Sequence, residues 1–204
     1  MVDRLPEIGG RAQVFNLKGF KHDAGPTVIT APFMFDELFS LFGEEREKYL
    51  KFVPLDPWYR FYFHDKSSFD YRRTVQDTKR EIKKFSNDDA EGYEKLLKIS
   101  KDIFDIGFTQ LSDKPFNSFW FMCKQIPALI KLKAHLTVSQ LVGRYLKNSK
   151  IRSAFSIHPL LVGGNPFNTT SIYALIHYLE RNWGVYSVSY THLRAHETVL
   201  DLVC

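Results

Sequence analysis

Three short segments of the chain combine residue types that could bind a phosphorylated cofactor or shape a ligand site. Gly9, Gly10 and Arg11 are consecutive. Paired glycines let the backbone approach a ligand closely, and an arginine directly after them can meet a phosphate through its planar fork. Residues 22–27 read His-Asp-Ala-Gly-Pro-Thr, and residues 158–167 read His-Pro-Leu-Leu-Val-Gly-Gly-Asn-Pro-Phe. Taken alone, each segment is more typical of a tight turn.

Motifs typical of the common nucleotide, hydrolase and metal sites do not occur in the sequence. There is no Gly-x-Gly-x-x-Gly, Walker loop, Gly-x-Ser-x-Gly or His-Glu-x-x-His. Cys123 and Cys204 are too few and too far apart for a disulfide framework or a metal site, which favours a reducing compartment. His158 and His177 fall on predicted helices and are interpreted as structural histidines. We therefore predict no metal site, and the catalytic residues stay unassigned.

Charge is divided unevenly along the chain. Residues 1–113 contain 18 Lys or Arg and 20 Asp or Glu, whereas residues 114–179 contain no acidic residue. A field of one sign attracts an anionic surface, either nucleic acid or lipid headgroups. The basic residues of this acid-free stretch are Lys114, Lys124, Lys131, Lys133, Arg144, Lys147, Lys150 and Arg152.

Bulky apolar residues beside these charges favour lipid over nucleic acid. Residues 116–132 are rich in Phe, Trp, Ile and Leu and include Lys124 and Lys131, a mixture typical of a helix that lies in a membrane interface. No zinc-finger or RNP-type motif accompanies the charge, so no nucleic-acid partner is predicted. A packing helix with a solvated lysine edge remains an open alternative.

The elements that must position these segments form an α+β mixture. Two hairpins are predicted, one at residues 13–28 with Lys18 and Gly19 in its turn, and one at residues 59–71. Helical spacing of apolar residues then indicates four helices. These are a short helix over residues 33–42, one capped by Ser86, one that begins at Thr137, and one over residues 172–183.

The end of the chain breaks this pattern. Residues 187–204 have neither helical nor alternating periodicity. Residues 188–198 match, residue for residue, the translation of a transposase-end sequencing adaptor in one frame. We therefore predict that natural sequence stops near Tyr186 and that the rest is a scar of library construction. This interpretation also removes His192 and His196 as a pair of metal ligands.

Taken together and in this order, the segments resemble the bacterial-type phytoene desaturase family of flavoproteins, over nearly all of the chain to Tyr186. Residues 53–60, Val-Pro-Leu-Asp-Pro-Trp-Tyr-Arg, and residues 169–177, Thr-Thr-Ser-Ile-Tyr-Ala-Leu-Ile-His, share the resemblance. It implies an oxidoreductase of carotenoid biosynthesis that holds FAD and introduces double bonds into a polyene by hydride transfer to the flavin. The implied fold is α+β, as a fragment of a two-domain FAD-dependent oxidoreductase (a GR2-like flavoprotein).

The resemblance carries over only a few site residues. Residues 159–167 would lie in the substrate half, near the polyene channel. Some family members have a carboxylate where this chain has Phe121, so no catalytic acid is assigned. The flavin-binding residues that the resemblance implies are Gly9, Gly10, Arg11, Asp23 and Gly25.

The chain departs from the family pattern at both ends. Family members open with a strand, a Gly-x-Gly-x-x-Gly turn and a helix whose N-terminus holds the FAD pyrophosphate. This chain contains no Gly-x-Gly-x-x-Gly. We therefore expect the polypeptide, expressed as given, neither to retain FAD nor to desaturate phytoene. The predicted parts are a remnant of the FAD-binding domain (1–32), a hairpin-bearing start of the substrate domain (33–73), a helical substrate- and membrane-facing region (74–186), and the tail (187–204).

Two functions remain open on the sequence alone. The first is a fragment of a phytoene desaturase that acts on a C40 or related polyene. The second is a non-enzymatic, membrane-interfacial helical module, if the chain is a genuine stand-alone product. The expected partners are a carotenoid polyene and an anionic membrane surface. The expected location is the cytoplasm, peripheral to the membrane, because no apolar run has the length of a spanning helix; the oligomeric state is unassigned.

Overall fold

The computed structural model describes residues 14–23, 28–107, 127 and 130–188. The chain divides into two compact units, Met1–Asp56 with Trp183–Val203, and Pro57–Asn182. Short sheets and helices alternate, which confirms the predicted α+β class. The finer division into FAD-binding and substrate domains stays a prediction.

A tight hairpin opens the described part of the first unit. The strands β1 (Val14–Leu17) and β2 (Phe20–Asp23) pair antiparallel. Lys18 and Gly19 form the turn with φ of 52° and 83°. Two consecutive residues at positive φ give the turn the twist that antiparallel strands need. The first predicted hairpin and its turn are therefore confirmed.

Among its described residues, this unit also contains a small antiparallel sheet, one α-helix and a 3₁₀ turn over Arg46–Lys48. The strands β3 (Val28–Ile29) and β4 (Phe52–Pro54) pair with either side of β7 (Tyr186–Val188). The helix α1 (Pro32–Ser40) starts with proline, whose missing N–H costs nothing in a first turn. β7 runs two residues past Tyr186, where natural sequence was predicted to stop; the origin of the tail stays a prediction.

The second unit begins with the other predicted hairpin. The strands β5 (Tyr59–Tyr62) and β6 (Ser68–Tyr71) pair antiparallel. In the connecting turn, Lys66 has a φ of 64°. The Asp65 carboxylate accepts hydrogen bonds from the Ser67 amide and hydroxyl. The aspartate side chain thus takes the place of a backbone carbonyl in the turn.

Five helices follow in the described part of the second unit, and side chains cap three of them. Thr74, Thr137 and Asn148 each accept a hydrogen bond from a backbone N–H of the first turn, which satisfies donors that the helix leaves unpaired. Three predicted helices are confirmed, and the last is preceded by a 3₁₀ turn over Ser171–Ala174. The helices are α2 (Val75–Lys83), α3 (Asn87–Gly107), α4 (Val138–Tyr145), α5 (Ser149–Phe155) and α6 (Leu175–Trp183).

Aromatic rings form the core between the hairpin and these helices. The Phe155 ring lies 5.0 Å from the Tyr93 ring and 5.1 Å from the Tyr71 ring, centroid to centroid. The guanidinium of Arg181 lies 4.2 Å from the centroid of the Trp58 ring and donates to the Tyr93 hydroxyl at 2.6 Å. The Arg181 guanidinium is tolerated beside this core because aromatic ring faces and a hydroxyl replace the water that would otherwise hydrate it.

Candidate functional site

A polar cluster lies inside the aromatic core of the second unit. His158, His177 and Glu180 have 1%, 0% and 0% of their surface exposed. The Tyr59 hydroxyl donates to Glu180 Oε1 at 2.8 Å, and His158 Nε2 lies 3.0 Å from Glu180 Oε2. His177 Nε2 donates to the carbonyl oxygen of Phe155 at 3.0 Å. The centroids of the two imidazole rings are 4.1 Å apart, with the ring planes at 85°.

Local structure explains how these groups meet. His177 and Glu180 are three residues apart on α6, so they share one face of the helix. His158 is the first residue of a 3₁₀ turn over His158–Val162 that follows α5 directly. Phe155, at the end of α5, turns its unused carbonyl toward His177. One helix, one 3₁₀ turn and one strand therefore deliver four polar side chains to one buried point.

Burial controls the protonation of the cluster. Removal from water is the main reason that the pKa of His177 lies well below its usual value, and the nearby His158 lowers it further. Burial and the Glu180 carboxylate likewise raise the pKa of Tyr59 far above its usual value. His177 is therefore neutral and Tyr59 stays a hydroxyl donor. The Nδ1 atoms of His158 and His177 have no hydrogen-bond partner among the residues described.

The segment over residues 158–167 is a loop held by its own hydrogen bonds. Gly163 ends the 3₁₀ turn with a φ of 75°, a conformation that favours glycine. The Gly164 amide donates to the Pro159 carbonyl at 2.7 Å, and a Cβ on Gly164 would lie 2.8 Å from Thr169 Oγ1. The Asn165 side chain accepts from the Phe167 amide at 2.9 Å. The Gly-Gly-Asn sequence is thus required by the loop's own backbone.

This loop presents apolar side chains outward. Leu160, Leu161 and Val162 are 53%, 50% and 61% exposed, and Phe167 is 69% exposed. Soluble proteins rarely leave neighbouring apolar side chains exposed to water, because their exposure costs free energy. Where such a group occurs, it often marks a contact surface. Such side chains, on a backbone held by hydrogen bonds, suit contact with an apolar ligand or a lipid surface.

The described basic residues of the acid-free stretch differ in their surroundings. The Lys133 ammonium donates to the Tyr145 hydroxyl at 2.9 Å. Lys150 pairs with Asp65 and donates to Ser67 Oγ at 2.9 Å. Lys131, by contrast, is an exposed residue. Part of the positive charge is therefore used inside the fold. Within the described ranges, no helix is long and apolar enough to cross a bilayer.

Comparison with known proteins decides the family. The profile of the family described as flavin containing amine oxidoreductase matches residues 2–189. The chain belongs to this family. The match covers both compact units. The flavin oxidoreductase nature implied by the resemblance is therefore confirmed.

Several curated proteins of carotenoid biosynthesis are similar to the chain. It is 42% identical to the lycopene-forming phytoene desaturase of Pseudescherichia vulneris over 186 residues, which are 91% of this chain and 38% of that protein. It is 33% identical to the neurosporene-forming phytoene desaturase of Cereibacter sphaeroides, over 91% of this chain and 36% of that protein. The chain thus spans little more than a third of these relatives. The comparisons give no support to a non-enzymatic module.

The flavin oxidoreductase family implies a flavin, which the described residues do not cradle. A pyrophosphate is held by a glycine-rich turn that leads into a helix N-terminus with free amides. In the described ranges, no helix begins directly after a glycine, three helix starts are capped by their own side chains, and α1 opens with Pro32. The described residues therefore do not form the pyrophosphate site of a flavin.

The structure places few of the residues predicted to bind the flavin. Asp23 is the last residue of β2. The other four predicted flavin contacts and Phe121 lie outside the described residues, and these assignments stay predictions. The residues in question are Gly9, Gly10, Arg11 and Gly25.

Sequence reasoning missed the buried cluster. His158 and His177 were expected to be structural, and both are buried, but nothing pointed to Glu180 or Tyr59 as their neighbours. One signal was available: Glu180 is the acidic residue that ends the acid-free stretch, three residues after His177. A charged residue on the buried side of a helix indicates a paired interior group.

Proposed function

We propose that the chain is part of an FAD-dependent desaturase that introduces double bonds into a carotenoid polyene such as phytoene. The observation that carries this proposal is the 42% identity to a phytoene desaturase over 91% of the chain. The chemistry needs a flavin and a C–H bond held beside it, while the protein supplies orientation and excludes water. No nucleophile is required, in keeping with the absence of a hydrolase motif.

The proposed roles of this chain's residues follow the resemblance. Arg11, behind Gly9 and Gly10, would bind a phosphate oxygen of FAD, since an arginine fork can hold one by charge-assisted hydrogen bonds. The loop of residues 158–167 would contact the polyene through the apolar side chain of Phe167, which is 69% exposed. An apolar polyene leaves no polar group to satisfy, so such a surface suits it.

A segment exchange tests the proposed function. Residues 2–186 of this chain replace the aligned segment of the Pseudescherichia vulneris enzyme, and the purified hybrid is assayed for bound FAD and for conversion of phytoene in liposomes. We expect a yellow protein that forms conjugated polyenes, detected by absorbance. The 204-residue chain alone should give neither signal.

Matched variants locate the cofactor contact in the same hybrid. Arg11→Ala should weaken FAD binding by about 1.5–3 kcal/mol, the size of a charge-assisted hydrogen bond, while Arg4→Ala should not. A hybrid that retains FAD but converts no polyene would contradict the proposed substrate class. Equal FAD loss in both arginine variants would contradict the role of Arg11.

We infer further that an anionic membrane surface is the second partner, at the face that carries Lys131 and the loop tip. The acid-free stretch gives this face its charge, and exposed Leu160, Leu161 and Val162 give it an apolar contact. Hydrogen bonds join the segments that follow each part, since Ser171 Oγ donates to the Lys133 carbonyl at 2.8 Å and the Ser139 amide donates to the Pro166 carbonyl at 3.1 Å. Positive charge beside apolar side chains is the pattern of an interfacial surface.

Vesicle binding of the hybrid tests this membrane face. Lys131→Glu should weaken binding to anionic vesicles by about 1 kcal/mol or more, and salt should weaken binding of the unchanged hybrid. Lys133→Glu should have a smaller effect, because that ammonium is held at Tyr145. Lys95→Glu, at an exposed position of α3, is the control. Equal binding to neutral and anionic vesicles would refute the electrostatic contribution.

A further inference from the structure

The helix α1 presents an apolar stripe that the described residues of its unit leave uncovered. Its inward side is packed: the Phe33 ring lies 4.7 Å from the Trp183 ring, centroid to centroid. The Phe35 ring likewise lies 5.4 Å from the Phe52 ring. On the outward side, four large apolar side chains are 51%, 52%, 75% and 78% exposed. In that order they are Met34, Leu38, Leu41 and Phe42.

The spacing of these four residues places them on one side of the helix. Successive intervals of four, three and one residues follow a single helical face over two turns. Leu41 keeps a helical conformation at the end of α1, with φ of −61° and ψ of −24°, and its amide donates to the Glu37 carbonyl at 3.2 Å. The Phe42 amide donates to the Phe39 carbonyl at 3.0 Å. The stripe is therefore a preformed row of apolar anchors of the kind that helices recognise in each other.

Negative charge borders this stripe. Residues 32–50 contain five acidic residues and two basic ones. One of the two basic side chains is already used inside the unit, since Arg46 donates to Asp36 Oδ1 at 2.6 Å and to the Leu50 carbonyl at 3.1 Å. The surface therefore combines exposed apolar side chains with a net negative charge. Its exposed acidic residues are Asp36, Glu37, Glu44, Glu45 and Glu47.

This combination selects among the occupants that an apolar face can have. An anionic membrane surface is repelled, because the carboxylates carry the same sign of charge as the headgroups. A second copy of α1, packed on the stripe in a symmetric pair, would bring two acidic borders together. A basic amphipathic helix fits both features, because its apolar side chains cover the stripe while its lysines or arginines meet the carboxylates.

We propose that the stripe of Met34, Leu38, Leu41 and Phe42, with its acidic border, is a docking site for a basic amphipathic helix of a partner protein. The helix binds by inserting its apolar side chains along the stripe, and the charges set its orientation. The site lies in the first unit, whereas the membrane face inferred above lies in the second. It is also independent of the flavin chemistry, so the FAD content of the hybrid reports separately on the proposed function.

Binding of a model helix tests the proposal. The probe is a fluorescent amphipathic peptide of leucine and lysine, and its anisotropy is followed on addition of the 204-residue chain or of the segment-exchange hybrid. We expect both proteins to bind the peptide and salt to weaken the binding. A peptide in which glutamate replaces each lysine should not bind. Equal binding of the two peptides overturns the proposal. Binding to the chain but not to the hybrid also overturns it, because the whole enzyme then covers the stripe itself.

Apolar variants show where the peptide binds. Leu38→Ala combined with Phe42→Ala should weaken binding by about tenfold or more, because a few central apolar anchors dominate such interfaces. Ile130→Ala, at a position that is 60% exposed elsewhere in the chain, should leave binding unchanged. Circular dichroism of every sample verifies folding. Folded variants that all bind the peptide equally well overturn the proposal.

Charge variants show whether the acidic border takes part. Glu37→Gln combined with Glu45→Gln should weaken binding and reduce its dependence on salt. The matched pair Glu91→Gln and Asp102→Asn removes two exposed carboxylates of α3 and should do neither. The same losses in both pairs would mean that net charge alone attracts the peptide, which overturns a defined site. Anionic vesicles that bind the hybrid but not its Leu38 and Phe42 double variant would make the occupant a membrane and overturn the proposal as well.

Discussion

Replacement of Gly92 by alanine is expected to destabilise the second unit by about 3 kcal/mol, at the upper end of what overpacking a core costs. Gly92 lies on the buried face of α3, where the helix meets the end of α4. A Cβ there would lie 2.0 Å from the carbonyl oxygen of Tyr145 and 3.0 Å from its carbonyl carbon. These are backbone atoms, so the clash is relieved only if the two helices move apart. The urea midpoint of the chain measures the loss.

A second glycine of the same helix provides the control. The atom nearest to a Cβ on Gly107 would be Ile172 Cγ2 at 3.8 Å, an ordinary contact. Gly107→Ala should therefore be neutral or should stabilise by about 0.4–1 kcal/mol, because alanine lowers the entropy of the unfolded chain. Similar losses in both variants would show that helix packing at Gly92 is looser than the distance indicates.

The elements of this fold could be predicted where their signals are local. Lys18 and Gly19 form a two-residue turn between alternating strands, and Thr137 caps α4 through its reciprocal pair with Gln140. Such signals reside within four or five consecutive residues, and the sequence shows them directly. The predicted helices and hairpins were therefore located within a few residues, whereas α2 and α5 had not been predicted as separate helices.

The buried face of α6 could not be predicted from residue types. The helix predicted over residues 172–183 was based on the spacing of its apolar residues, which are Ile172, Leu175, Ile176, Leu179 and Trp183. The row with no exposed surface is instead Ser171, Ala174, His177 and Glu180, at intervals of three, with its first two members in the 3₁₀ turn before α6. Polar residues occupy this face because each has a buried hydrogen-bond partner, and periodicity of apolar residues does not reveal partners.

The partner of Glu180 is distant in sequence. Tyr59 and Glu180 are 121 residues apart, and no local pattern links a residue of β5 with one of α6. Their contact depends on how the hairpin packs on the helices, so only the folded chain shows it. The predicted flavin contacts differ, because they lie in short segments that the sequence shows directly.

Glu180→Ala should cost more than any surface change in the second unit. The carboxylate accepts from the Tyr59 hydroxyl and from His158, and its removal leaves both donors buried without an acceptor. Each unpaired donor costs about 1–3 kcal/mol, and the cavity left by the side chain adds to that. We expect urea unfolding to show a loss of about 3–6 kcal/mol.

Glu180→Gln separates the hydrogen bonds from the charge. The amide oxygen can accept from Tyr59 while the amide nitrogen donates to His158 Nε2, provided that the His158 proton moves to Nδ1, which has no partner to lose. This variant also avoids burying a charge, so its cost should be about 1 kcal/mol or less. Tyr59→Phe, alone and combined with each Glu180 variant, gives the coupling energy across the 2.8 Å bond. If Glu180→Gln costs as much as Glu180→Ala, the carboxylate charge stabilises this core, and the tautomer exchange of His158 does not occur.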